Sequence, residues 1–174
     1  MCYPVTMWRS AAVVLAVTAA SFVMPVAHAD REEPPPLYGD YDVFVDFARQ
    51  TFNGAPTPME SKSYPVSFTT HCDGNGCIAR MDNSDDQARN PGAPTEYEYR
   101  WRGDRWQTSG EQPYLCSRTD AGTAVPSLRS DYWIPNGDGS FHGERTLEVG
   151  GAGCPGEGPG THWVPITLTP VDVH

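Results

Sequence analysis

Hydrophobic side chains recur at every second position through most of this chain, the period of strands with one buried face. Tyr41, Val43, Val45 and Phe47 alternate with Asp42, Phe44 and Asp46 and predict a first strand. Tyr64, Val66, Phe68, Thr70 and Cys72 share one face of a second, opposite Ser67, Thr69 and His71. Asp73-Gly74-Asn75-Gly76 then turns the chain, and Cys77, Ala79 and Met81 return on that face. With Cys72 opposite Cys77, Thr70 meets Ala79 and Phe68 meets Met81, so register and pattern agree. Tyr97, Tyr99 and Trp101 alternate with Glu96, Glu98, Arg100 and Arg102. A Gly103-Asp104 turn sends back Arg105 to Thr108, with Trp101 opposite Trp106. Further strands are predicted near Asp131–Ile134 and Phe141–Val149, joined by Asn136-Gly137-Asp138-Gly139. A last one lies near Trp163–Thr169, where Val164, Ile166 and Leu168 share a face. About eight short strands joined by regular turns predict an all-β fold, an antiparallel barrel or sandwich.

Little else in the chain is periodic. With 17 Gly and 17 Pro, long helices are excluded, and one short turn around Ala48–Phe52 is the expected helical piece. Asn53 to Pro58 is a turn-rich connector, Asp82 to Pro94 a polar loop, and Gly150 to Gly160 a glycine-rich irregular stretch.

The N-terminus carries a different pattern. Arg9 precedes an apolar run from Ala11 to Val26 that closes with Ala27-His28-Ala29. A basic residue, a short apolar stretch and an A-x-A end describe a secretory signal peptide, residues 1–29, cut after Ala29. The run is shorter than the about 20 residues of a spanning helix, so no membrane span is expected in the mature chain. Residues 30–36 (DREEPPP) form a charged, proline-rich leader expected to be disordered, and residues 37–174 one secreted β domain. The mature chain has 174 − 29 = 145 residues, and loss of Arg9 leaves 11 basic against 22 acidic side chains, a charge of −11. So acidic a chain without a basic run excludes nucleic acid as a partner and favours solubility outside the cell as a monomer.

Behind the signal stand Cys72, Cys77, Cys116 and Cys154. Four cysteines permit three pairings; Cys72–Cys77 with Cys116–Cys154 is preferred, because the first pair closes one hairpin and leaves the others to each other. Zinc favours C-x2-C pairs, which are absent, and an exported chain favours oxidation. The cysteines are therefore read as structural, and no metal or other cofactor is expected.

Catalytic signatures are missing: no G-x-S-x-G, H-E-x-x-H or G-x-x-x-x-G-K occurs. His71 adjoins a cysteine expected to be bonded. Glu96 and Glu98 lie roughly 7 Å apart on one strand face, a spacing an inverting hydrolase can use, but Arg100 and Arg102 follow on that face and favour ion pairing. Asn136, Asp138 and Ser140 have the spacing of early calcium ligands, yet Phe141 and Leu147 stand where a calcium loop needs Gly and a bidentate acid. Two candidate binding surfaces remain. Arg100, Arg102 and Arg105 cluster at the tryptophan hairpin, with Arg102 facing Arg105, a repulsion that an anionic partner, Glu98 or Asp104 relieves. Trp133 and Trp163, with Tyr114 and Tyr132, form a possible platform for sugars or apolar ligands, or else part of the core.

The connector Asn53–Pro58, the Cys72 to Ala79 hairpin, the tryptophan hairpin, Cys116, the Asp138–Gly143 segment (D-G-S-x-x-G) and Cys154 follow one another in an order that resembles small exported mycobacterial proteins of unknown function. The cysteine hairpin also resembles a domain in extracellular parts of actinobacterial receptor serine/threonine kinases. The resemblance covers most of the mature chain, brings no catalytic residues, and implies an envelope or extracellular location with an accessory or sensing role. The reading is a secreted binding or accessory domain without catalytic activity, acting on an unknown extracellular ligand or envelope component. The alternatives are a hydrolase using paired carboxylates on an envelope polymer, and a binder of lipid or a small ligand in a barrel cavity.

Overall fold

The computed structural model describes residues 34–89, 92–115, 124–151 and 158–171. The expected signal peptide, the start of the expected leader, Cys116 and Cys154 lie outside the described residues. Ten strands are described: β1 (Gly39–Val45), β2 (Thr51–Phe52), β3 (Ala55–Pro56), β4 (Lys62–Asp73), β5 (Gly76–Asp82), β6 (Glu96–Trp101), β7 (Trp106–Leu115), β8 (Ala124–Pro135), β9 (Phe141–Val149) and β10 (Gly160–Pro170). Strands β1 and β4 to β10 pair in that order, and β10 pairs back onto β1, closing an eight-stranded antiparallel barrel. Of the two architectures expected from sequence, the barrel is the one formed. Closure removes the free sheet edges that an open sandwich leaves.

The expected registers hold. Cys72 lies opposite Cys77, Thr70 opposite Ala79 and Phe68 opposite Met81, and Cys72 and Cys77 form a disulfide. Trp101 lies opposite Trp106, their rings edge to face with centroids 5.5 Å apart. Gly103 takes φ +91°, the left-handed first position that this two-residue hairpin turn requires and only glycine adopts without strain. Asn53 and Gly54 both have positive φ, so the connector is a two-residue turn joining β2 to β3. That small hairpin extends the barrel wall beside the start of β10.

Three elements differ from expectation. β7 and β8 run well past the segments that alternation marks, because Ser109 to Pro113 and Pro126 to Ser130 lack an apolar face. A six-residue helix, α1 (Ser84–Arg89), stands in the polar loop after β5. It starts where the Asp82 carboxylate accepts the Ser84 backbone N–H at 2.9 Å. Asn83 ties the far end of that loop back, its amide donating to Pro94 O at 2.8 Å. A 3-10 turn at Phe47–Arg49 overlaps the helical piece expected around Ala48–Phe52, of which Thr51–Phe52 instead pair with β10 as β2.

Tyr41, Phe68, Tyr99, Trp106, Trp133 and Phe141 pack with Leu37, Val43, Ile166 and Leu168 in one core cluster. Tyr41 packs edge-on against both Phe68 and Phe141. Gly143 sits opposite Trp133, and a Cβ there would lie 1.7 Å from the Tyr132 carbonyl oxygen, so only glycine allows the two strands to approach this closely. The leader's last residues contribute as well: Pro34 is buried, and Pro35 O accepts the Trp106 indole N–H at 2.9 Å.

The disulfide closes a loop of about six residues, which in the chain-entropy model is worth roughly 2 kcal/mol. Replacing both Cys72 and Cys77 by alanine is expected to lower the melting temperature by about 5–10 °C while leaving the strand circular-dichroism spectrum intact. A collapse of that spectrum would give the disulfide a larger role.

Candidate functional site

The interior also holds buried charge. On β8 the inward phase set by Trp133 continues through Asp131, Arg129 and Ser127, and on β9 the residue opposite Asp131 is Arg145. Arg129 and Asp131 are buried. The Asp131 carboxylate accepts from both guanidiniums: Arg145 Nε reaches Oδ1 and Arg145 Nη2 reaches Oδ2, each at 3.0 Å, and Arg129 Nε lies 3.1 Å from both oxygens. The Tyr99 hydroxyl donates to Oδ2 at 3.2 Å. Arg129 also stacks 4.1 Å from the Tyr97 ring centroid, and the Tyr97 hydroxyl donates to Gln112 Oε1 at 2.7 Å. Two guanidiniums share one carboxylate, so the group carries one excess positive charge, partly offset by the tyrosine oxygens and the Tyr97 π face.

Burial alone would raise the Asp131 pKa; the two guanidiniums beside it overturn that and hold it well below the ordinary carboxylate range. Burial and the Asp131 charge push the Tyr99 phenol far up, so it stays protonated and able to donate. This cluster escapes a search for apolar alternation. Its signal is Arg129 and Asp131 in phase with Trp133, and charged side chains on a barrel's inner phase must pair inside it.

The barrel wall is discontinuous beside this cluster. β6 and β7 pair only at Arg100–Gln107 and Trp101–Trp106, while β6 stays paired to β5 as far as Glu96 and β7 to β8 as far as Leu115. A cleft of about 700 Å³ opens at this divergence and spreads over the outer faces of β6 to β9. Glu96, Glu98, Arg100 and Arg102 line one side, and Tyr132 and Glu144 the other, with Asp131 in its depth. Such a volume matches that of ligand clefts generally.

The expected site residues fall in different places. Arg100 ion-pairs with Glu98 at 3.4 Å. Arg105 is held by Asp104 at 2.9 Å and lies 4.8 Å over the Tyr132 ring. Local carboxylates thus relieve the clustered charge, and Arg102 makes no ion pair among the described residues. Glu96 and Glu98 share Arg80, at 3.6 and 2.9 Å. The proposed aromatic platform does not assemble. Trp133 is fully buried in the core, which corrects its placement on a binding surface: its strand phase points inward. Tyr114 also faces inward, its ring 5.2 Å from that of His162; Trp163, on the opposite phase of β10, and Tyr132 lie outside. The polar atoms of Asn136, Asp138 and Ser140 bond one another within the β8–β9 turn.

Three comparisons bear on this barrel. The family described as the PknI serine/threonine-protein kinase sensor domain matches residues 33–173. Among solved structures, the monomer form of the M. tuberculosis PknI sensor domain superposes with a TM-score of 0.58 at 19% identity, covering 79% of this chain and 89% of that one. No curated protein matches the sequence.

Replacing Asp131 by asparagine leaves two buried guanidiniums without a counter-charge, and is expected to cost about 3–5 kcal/mol in urea unfolding. The depressed Asp131 pKa makes its contribution complete above the unfolded carboxylate value of about 4 and lost progressively as pH falls below it. Melts between pH 2 and 7 are therefore expected to lose stability on the acid side in the wild type, and less steeply in D131N. Equal acid slopes would remove Asp131 from that account.

Proposed function

The chain belongs to the PknI serine/threonine-protein kinase sensor domain family, and on that premise we propose that it is an exported, non-catalytic sensing domain that recognises an extracellular or envelope ligand on its outer wall. The observation that carries this reading is the division of labour inside the barrel. Aromatic and aliphatic side chains pack in one core cluster and Arg129, Asp131 and Arg145 engage one another beside it, so these inward side chains are committed to the scaffold. The cleft outside β6 to β9 combines volume, hydroxyls and charges of both signs. A polar cleft of this composition suits a polar ligand rather than a lipid tail. The carboxylates Glu96 and Glu98 are engaged by Arg80, which favours recognition over hydrolysis.

Export follows from the N-terminal pattern: residues 1–29 are removed, and the leader ends against the β domain, its Pro35 carbonyl accepting the Trp106 indole N–H. A Cys116–Cys154 bridge is consistent with the strand order. β7 ends at Leu115, paired to Ala124, and β9 ends at Val149, paired to Gly160 and Ser127, so both connections leave from one rim of the barrel.

Amide spectra of the ¹⁵N-labelled barrel, titrated with peptide-rich and glycan-rich fractions of a cell-envelope digest, test the reading. Shifts are expected at Arg102, Tyr132 and Glu144. R102E and Y132A are each expected to weaken the response at least five-fold with melting temperatures unchanged. Shifts confined to interior residues, or none from either fraction, would overturn recognition at the outer wall.

A further inference from the structure

The divergence of β6 and β7 leaves more than side chains in the cleft. The Arg102 backbone N–H donates to Arg105 O at 2.9 Å across the hairpin turn, which fixes the phase of both strands. In an antiparallel ladder both polar groups of a residue point to the same neighbour, and successive residues alternate. Arg102, Arg100, Glu98 and Glu96 therefore turn their backbone groups toward β7. Arg105, Gln107, Ser109, Glu111 and Pro113 turn theirs toward β6. The opposite phase is confirmed where Asn83 N–H donates to Thr95 O at 2.8 Å on the β5 side. Pairing across the seam stops at Arg100–Gln107, so the N–H and C=O of Glu96 and Glu98 on β6, and of Ser109 and Glu111 on β7, have no ladder partner among the described residues. Pro113 occupies this phase on β7, a position that a residue without an N–H tolerates only where the strand edge is free.

We propose that this seam is a strand-addition site, where an extended polypeptide segment of another protein pairs its backbone with the open edges of β6 and β7. The inference rests on the cleft being the recognition site and names its ligand class. Two backbone edges presenting N–H and C=O at strand spacing match a peptide main chain, and no sugar or small metabolite repeats that pattern. Side chains supply the selectivity. Arg100 and Arg102 stand at the hairpin end of the cleft, while Glu96 and Glu144 stand elsewhere along it. The complementary segment carries an acidic side chain toward the hairpin and a basic one toward Glu96 and Glu144.

The full folded chain is panned against a random ten-residue peptide display library, and one enriched peptide is synthesised. Expected are amide shifts and slowed hydrogen exchange at Glu96, Glu98, Ser109 and Glu111. N-methylation of alternate peptide amides, which keeps every side chain, is expected to weaken binding at least ten-fold. So is Glu98→Pro, which removes one edge N–H and leaves the ladder to β5 untouched, whereas Glu98→Ala, which keeps that N–H, loses less. If Glu98→Pro unfolds the barrel, Ser109→Pro makes the same test on the other edge. Failure to enrich any peptide, binding indifferent to N-methylation, or shifts elsewhere would overturn strand addition. An E98P-sensitive dimer in sedimentation would overturn the foreign partner in favour of a second copy. Cleft shifts from the glycan-rich fraction without peptide binding would overturn this inference and leave the sensing role standing.

Discussion

Closing eight strands into a barrel turns burial into a question of phase. Every second residue of every strand must face inward, whatever its chemistry, and one carboxylate makes this tolerable here. Asp131 lies between Arg129 and Arg145, and without it two guanidiniums on the inner phase of β8 and β9 would be buried with no counter-charge. The Tyr99 hydroxyl, the Tyr97 ring and the Tyr64 hydroxyl join the cluster. Because its partners come from β4, β6, β8 and β9, the cluster also ties those strands together. Its geometry is fixed by directional hydrogen bonds, whereas the aromatic layer beside it is held by packing and burial.

That arrangement separates the scaffold from the proposed recognition site. The apolar layer and the ion cluster occupy the interior, and the polar cleft lies outside, against a wall whose β6–β7 ladder is interrupted. A barrel with most of its strand edges paired has few places where a backbone can meet another backbone. The seam is such a place, bounded at one end by the tryptophan hairpin. At the other end the loop before β6 presses on β7, where a Cβ on Gly92 would collide with Pro113. A sensing role needs a ligand-facing surface coupled to a stable body, and Asp131 belongs to both: it lines the depth of the cleft and anchors the interior.

Legibility in the sequence followed the chemistry of each strand's inner face. β1, β4, β5 and β9 alternate apolar with polar residues, and their extents or registers could be read directly. β7 and β8 are longer than alternation predicts because Gln112, Ser127 and Arg129 put polar side chains on the inner phase, where alternation calls for apolar ones. Helix α1 is only six residues long and starts on a side-chain cap, so periodicity could not reveal it. Trp133 illustrates the reverse difficulty. An aromatic residue suits a ligand platform and a core equally well, and only its phase relative to a closed wall decides.

The sequence by itself determined the all-β class, the Cys72–Cys77 and Trp101–Trp106 registers and the acidic charge, because these depend on local alternation, turn residues and composition. Only the tertiary structure decided that the sheet closes on itself, that Arg129, Asp131 and Arg145 meet inside, and that β6 parts from β7. Those outcomes depend on which distant strands become neighbours: Asp131 meets Arg145 across one strand pair and Tyr99 from another, a convergence that the spacing within any single segment does not encode.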